Sequence, residues 1–258
     1  MALVALLVFT LTAATGWYFT RTSNFDPSQF GTLTLGVDAP YPPYEYFDDD
    51  GQLTGFEIDL GNQLCANLQL DCVWQVTPWD TIIADLNSGK FDVIMSSMSI
   101  SAERKKEVSF GEPYYSTPSV FFSRQSDKIA GLSTRNLAGK TVAVQGGTLQ
   151  EIYLQDKYDS TVQILSLPGW NEVNKAFRAG DADLIFTDYP QWEEKFMLER
   201  VYEIIGEPIL LGDGVALAFR KDDAQLRKAM NQGLAFMKEY GQYQKIRRDY
   251  FLYDIIVK

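Results

Sequence analysis

Phe91 to Arg104, reading FDVIMSSMSISAER, is where the chain gathers groups that can do chemistry. Phe91 to Met95 is a short apolar, β-prone run between polar residues, the pattern of a strand buried on both faces. It breaks into Ser96, Ser97 and Ser99, and a helix is expected to start at Ser101 with Arg104 in its first turn. Hydroxyls at a strand's end, beside a helix N-terminus carrying an arginine, make an anion pocket. The alternative is that the serines cap turns and Arg104 is solvated. Acidic partners stand at the ends of other β-prone runs. Asp38 follows Thr32 to Val37, and Asp188 ends a run from Leu184.

Composition narrows the chemistry. The 258 residues carry a net charge of −11 and no basic stripe, which argues against nucleic acid and leaves cationic small molecules open. Histidine is absent, so His triads and His metal sites are excluded. Two cysteines cannot build a structural zinc site, and no metal or cofactor is expected. Hydrophobic content of 46% and aromatic content of 14% predict a folded chain of one or two domains.

Ala2 to Thr20 is almost wholly apolar or small. Its length is near the minimum for a membrane span. It lacks the positive start of a secretory signal, yet Thr12 to Gly16 offers small residues for cleavage. Residues 1–31 are therefore expected to be a signal peptide or an N-terminal membrane anchor, with export common to both.

The elements that must position these groups follow in order. Thr32 to Val37 reads as a strand, and Pro40, Pro42 and Pro43 stiffen the loop after it. Phe56, Leu60, Leu64 and Leu68 recur every four residues and predict an amphipathic helix. Leu70, Cys72, Trp74 and Val76 alternate as a strand, and Trp79, Ile82, Ile83 and Leu86 form a second helical stripe. Strand, helix, strand, helix, strand predicts right-handed crossovers and a mainly parallel sheet. Such sheets bind ligands beyond the carboxyl ends of their strands. The pattern restarts at Thr141, where Thr148 is expected to cap a helix. Ala179 to Asp188 repeats the design of Ser88 to Ser97: a glycine, an aspartate, three apolar residues, then polar groups. Val215 to Phe219 predicts a late strand. Leu226, Met230, Leu234 and Met237 then mark a long helix interrupted by Gly233. Two α/β lobes are expected: 32–117 with 214–258, and 118–213, joined by a two-strand hinge.

GVDAPYPPYEY (36–46), GFEIDL (55–60), FDVIMSSMSISAER (91–104), EPYYSTPSV (112–120) and GKTVAVQGGTLQE (139–151) together resemble the bacterial extracellular solute-binding proteins for polar amino acids. The likeness is greatest to the lysine/arginine/ornithine/histidine-binding branch and runs from Leu33 to Phe251. It implies a type II periplasmic-binding-protein fold, each lobe a mainly parallel sheet flanked by helices, closing on a free L-amino acid. It also implies a monomer that feeds an ABC permease in the inner membrane.

Carried over residue by residue, the resemblance implies that Arg104 binds the ligand α-carboxylate with Ser99 and Thr148. Asp188 would take the α-ammonium, with Gln150 at the second-lobe wall. Asp38 and Tyr41 would face the ligand side chain, with Ser96 and Ser97 nearby and Trp79 packing on it. A planar guanidinium suits a carboxylate, and a buried ammonium needs an acceptor. Each residue also has an ordinary structural use: Asp38 as a turn cap, Asp188 as the cap of a helix begun by Pro190, Trp79 as core. The resemblance further implies a Cys65–Cys72 disulfide, in place of two buried thiols.

The function these residues imply is capture of a polar, basic L-amino acid for ABC import, without catalysis. Two other classes stay open. One is a cyclohexadienyl dehydratase on the same fold, for which no glutamate stands out as general acid. The other is a ligand-sensing receptor domain.

Overall fold

The computed structural model describes residues 26–255. The export or anchor segment expected at 1–31 lies almost wholly outside them. Among the described residues, no helix is long and apolar enough to cross a membrane.

Two five-stranded sheets organise the chain. Strands β1 (Thr32–Val37), β4 (Asp71–Val76) and β5 (Val93–Ile94) pair in parallel with β1 in the middle. Strands β8 (Thr141–Gln145), β9 (Gln163–Leu167) and β10 (Leu184–Asp188) do the same around β8. Each trio is extended by two strands that break the parallel order. In the first sheet β12 (Ala218–Phe219) lies antiparallel to β5 and to β6 (Ser109–Phe110). In the second, β7 (Ser119–Arg124) lies antiparallel to β10 and to β11 (Tyr202–Ile209). The sheets are thus mixed. The antiparallel strands are those that lead into or out of the two crossings, where the chain reverses between lobes. A small hairpin, β2 (Tyr46–Phe47) with β3 (Leu53–Thr54), stands apart.

Both faces of each sheet are covered, which is what buried parallel strands demand. Leu33, Leu35 and Val93 pack under the helices Phe56–Leu68, Ala224–Glu239 and Gln242–Tyr250. The opposite face carries Ile94 and Ala218 against Ile82 and Leu86. In the second lobe, Val142, Val144 and Phe186 meet the helix Leu149–Tyr158, while Ala143 and Ile185 meet Trp170, Val173 and Phe177.

Three local expectations change. The helix after the serine run begins at Arg104, with the Ser101 hydroxyl accepting from the Arg104 amide, so Ser101 caps it from outside. The late strand shrinks to Ala218–Phe219, because Val215 bridges to both Ser99 and Tyr115 where the chain re-enters the first lobe. Gly233 does not interrupt its helix. A Cβ there would lie 2.4 Å from Leu64 Cδ1, so glycine is what lets this helix press on Phe56–Leu68.

Cys65 and Cys72 form a disulfide, with Cα atoms 6.2 Å apart, tying that helix to β4. Cross-linking residues seven apart removes about 2.5 kcal/mol of unfolded-state entropy in the loop-closure treatment. Replacing both cysteines by serine should lower the ligand-free melting temperature by roughly 5–10 °C. Ligand affinity should not change. Calorimetry with a paired binding titration checks both.

Candidate functional site

The carboxyl ends of equivalent strands from the two lobes face one another. Asp38 leaves β1, and Gln145 ends the matching β8. Ser96 to Ser99 leave β5, and Asp188 ends the matching β10. Between them is a cleft enclosing about 420 Å³ of empty space, its open mouth included. All ten residues singled out from the sequence line it: Asp38, Tyr41, Trp79, Ser96, Ser97, Ser99, Arg104, Thr148, Gln150 and Asp188. Glu45, Gln145 and Leu149 complete the wall.

Arg104 is 9% exposed, and among the described residues no carboxylate pairs with it. Its guanidinium donates to the Ser99 carbonyl at 2.8 Å and, across the cleft, to the Gly147 carbonyl at 2.9 Å. The Trp79 ring lies 5.0 Å from Arg104 Cζ, a cation–π distance. Burial lowers the Arg104 pKa to about 10, which leaves it charged at neutral pH. Trp79 therefore supports the guanidinium, and the Thr148 hydroxyl is occupied by the helix cap. That hydroxyl donates to the Gln145 carbonyl and accepts from the Glu151 amide.

Asp188 occupies the N-cap position of the next helix, yet its side chain makes no capping bond. It points into the cavity instead. Tyr41 donates to Oδ2 at 2.7 Å, and Gln150 and Ser119 reach Oδ1 at 3.1 and 3.4 Å. Tyr41, expected to face the ligand side chain, thus bridges the lobes by its bond to Asp188. Burial is the main cause that raises the Asp188 pKa to about 6, opposed by these three donors.

Asp38 accepts from Gln145 Nε2 at 3.1 Å, again across the cleft, while its own amide donates to the Ser96 hydroxyl. Burial raises its pKa to about 6. Ser96 and Ser97 in turn donate to the two oxygens of Glu45, at 3.3 and 3.0 Å. Glu45 is buried beside a second buried acid, Glu57, which accepts from Tyr114 and Tyr115. Burial first, then the neighbouring Glu57 charge, pushes the Glu45 pKa well above the usual carboxylate range. Ser97 adopts φ +50°, a left-handed conformation that costs a non-glycine residue about 1–3 kcal/mol. Its bond to Glu45 helps hold that turn.

Sequence reasoning missed Glu45, Gln145 and Ser119. Glu45 stands in the same proline-rich loop as Asp38 and Tyr41, and Gln145 is the last residue of β8, so position along the strands was the available signal. Among the described residues, no cluster of metal-ligating groups occurs.

Residues 33–253 match the family described as bacterial extracellular solute-binding proteins, family 3. The chain is 32% identical over 231 residues to the histidine-binding periplasmic protein of Escherichia coli, covering 86% of this chain and 88% of that one. It is 31% identical to the L-arginine-binding protein of Pseudomonas aeruginosa, covering 86% and 89%. A solved ancestral arginine-binding protein bound to arginine superposes with a TM-score of 0.79 at 30% identity, covering 86% of this chain and 98% of that one. With two mixed sheets closing on a cavity at their strand ends, and with the match running through both lobes, the chain belongs to the bacterial extracellular solute-binding proteins, family 3.

Proposed function

We propose that this protein captures a basic L-amino acid, arginine or lysine first, outside the cytoplasm and presents it to an ABC permease. One observation carries the ligand class: the charge set of the cavity. Arg104 is the one cationic side chain on the wall, set against the carboxyls of Asp38, Asp188 and Glu45, the last with its charged form disfavoured by burial. The wall is therefore short of at least one positive charge. A zwitterion with a neutral side chain leaves that deficit, and an amino acid with a cationic side chain cancels it. Buried charge is tolerated only when paired, so the difference favours the basic ligand.

The roles follow. Arg104 has donors left for a bidentate grip on the α-carboxylate. Asp188, oriented by Tyr41, Gln150 and Ser119, accepts the α-ammonium. Asp38 accepts the side-chain cation, with Glu45 and the serines as polar lining and Trp79 stacked behind. Closure excludes water and makes each pairing stronger. Ligand binding then shifts an open–closed equilibrium toward the form that a permease recognises. The dehydratase reading meets an obstacle in the same charges. Glu45 is a buried acid on the wall, but a doubly anionic ring substrate would face two ionised aspartates for one arginine.

Thermal-shift measurement over the common amino acids tests the reading. Arginine or lysine at a hundredfold excess over its dissociation constant should stabilise the fold by about 2.7 kcal/mol. A panel without a shift would overturn the assignment. Arg104→Ala should cut every shift to about a third or less, since truncating a buried charge partner weakens binding by roughly 30-fold or more.

Asp38→Asn should weaken arginine far more than glutamine, because only arginine loses a charge partner. Equal losses in paired titrations would remove Asp38 from the side-chain role.

The pH dependence has a definite sign. Asp38 and Asp188 titrate near 6 in the empty site and must be ionised to pair with the ligand. Arginine affinity should be level above about pH 7 and fall below about pH 6. The fall should approach tenfold per pH unit for each proton displaced. Glutamine, which needs Asp188 alone, should show the shallower slope. Calorimetric titrations from pH 8 to pH 5 read both.

A further inference from the structure

Gln191 belongs to the second lobe, on the helix Tyr189–Lys195 that starts where Asp188 ends β10. Its side chain is fully buried and takes no part in lining the ligand cavity. Its Nε2 donates across the cleft to the main-chain carbonyl of Pro42 in the first lobe. A carbonyl can only accept, which fixes the orientation of the amide. The remaining oxygen, Oε1, has no hydrogen-bond partner among the described residues.

Pro42 is the neighbour of Tyr41, whose hydroxyl donates to Asp188 and whose ring meets Trp170 edge-on at 6.3 Å. The same loop and the same strand–helix junction are thus joined twice. One joint, Tyr41 to Asp188, is part of the cavity wall. The other, Pro42 to Gln191, is outside it.

We propose that Gln191 is a positioning residue: its bond to the Pro42 carbonyl holds the 40–43 loop on the second lobe and seats Tyr41 on Asp188, so that the ammonium acceptor is oriented before a ligand is gripped. This rests on the proposed amino-acid site and assigns part of the closure to a group that touches no ligand. A contact made only in the closed form raises the closed fraction whatever the ligand is. Every affinity then scales by one factor. A residue that touches the ligand would change selectivity instead.

The test compares the wild-type chain with Gln191→Ala and Gln191→Glu, titrated with arginine and with glutamine. Gln191→Ala should weaken both ligands by the same factor, roughly two- to tenfold, the worth of one hydrogen bond. At neutral pH, Gln191→Glu puts an acceptor against the Pro42 carbonyl and should lose more. As the pH falls toward 5 the new carboxyl regains a proton and donates, so the ratio of wild-type to variant affinity should shrink. Titration of the site itself cancels in that ratio. A residue that merely filled space would give no such recovery. Unchanged affinity in Gln191→Ala, unequal losses for the two ligands, or no acid recovery in Gln191→Glu would each overturn the proposal. If the wild type binds no amino acid, the site reading fails, and solution scattering of the ligand-free proteins decides the clasp. Gln191→Glu should then have the larger radius of gyration at neutral pH, and equal radii would overturn the inference.

Discussion

The site depends on a buried guanidinium that has no counter-ion among the described residues. Three other arginines in this chain are handled differently. Arg124 pairs with Asp127, Arg178 with Glu199, and Arg220 with Asp92 and Asp223. Arg104 instead has two carbonyls and an indole face. Carbonyl dipoles and a π-face offset part of the desolvation of a cation, but they cancel none of its charge. A pocket built this way is incomplete until an anion enters. That demand, with Asp188 oriented on the facing wall, selects a molecule carrying opposite charges a few bonds apart.

The repeat between lobes explains how such groups come to face each other. β1, β4 and β5 have their counterparts in β8, β9 and β10, in the same spatial order and the same parallel sense. In an open α/β sheet the carboxyl ends of the strands are where loops can present polar groups without breaking a ladder. Bringing two such edges together doubles the density of polar groups. One joint across the cleft is then a bond between matched positions, Asp38 with Gln145 at the ends of β1 and β8, while Arg104 with the Gly147 carbonyl and Tyr41 with Asp188 tie unmatched strand ends together.

Much of this was legible in the residues, for physical reasons. The four-residue spacing of Phe56, Leu60, Leu64 and Leu68 reports a buried helix face, and all four are buried. The matched segments 88–97 and 179–188 anticipated equivalent strands, β5 and β10. Motif resemblance, and not periodicity, pointed to the ten candidate residues. What stayed hidden depends on long-range packing. Nothing local separates Glu45, which accepts from the serine loop, from an acid that faces solvent. Gly233 reads as a helix breaker unless one knows that Leu64 lies 2.4 Å from its missing Cβ. The antiparallel strands escaped because their direction is set by the path of the chain between lobes.

Closure of the empty site is opposed by the charges that later hold the ligand. Asp38 and Asp188 each titrate near 6 in the closed form, against an ordinary 3.8. A shift of that size is worth about 3 kcal/mol per carboxylate relative to a hydrated one. Desolvating Arg104 adds a further cost. Against these stand the direct cross-lobe bonds of Tyr41, Gln145, Arg104 and Gln191. Each is an ordinary hydrogen bond, with a net worth of about 1 kcal/mol, or somewhat more where a charge takes part. A ligand that neutralises both aspartates and the arginine removes the opposing side and leaves the bonds in place. Its differential affinity for the closed form then arises from the cancellation of buried charge. This is why the charge on the ligand, and not its shape alone, governs whether the lobes shut.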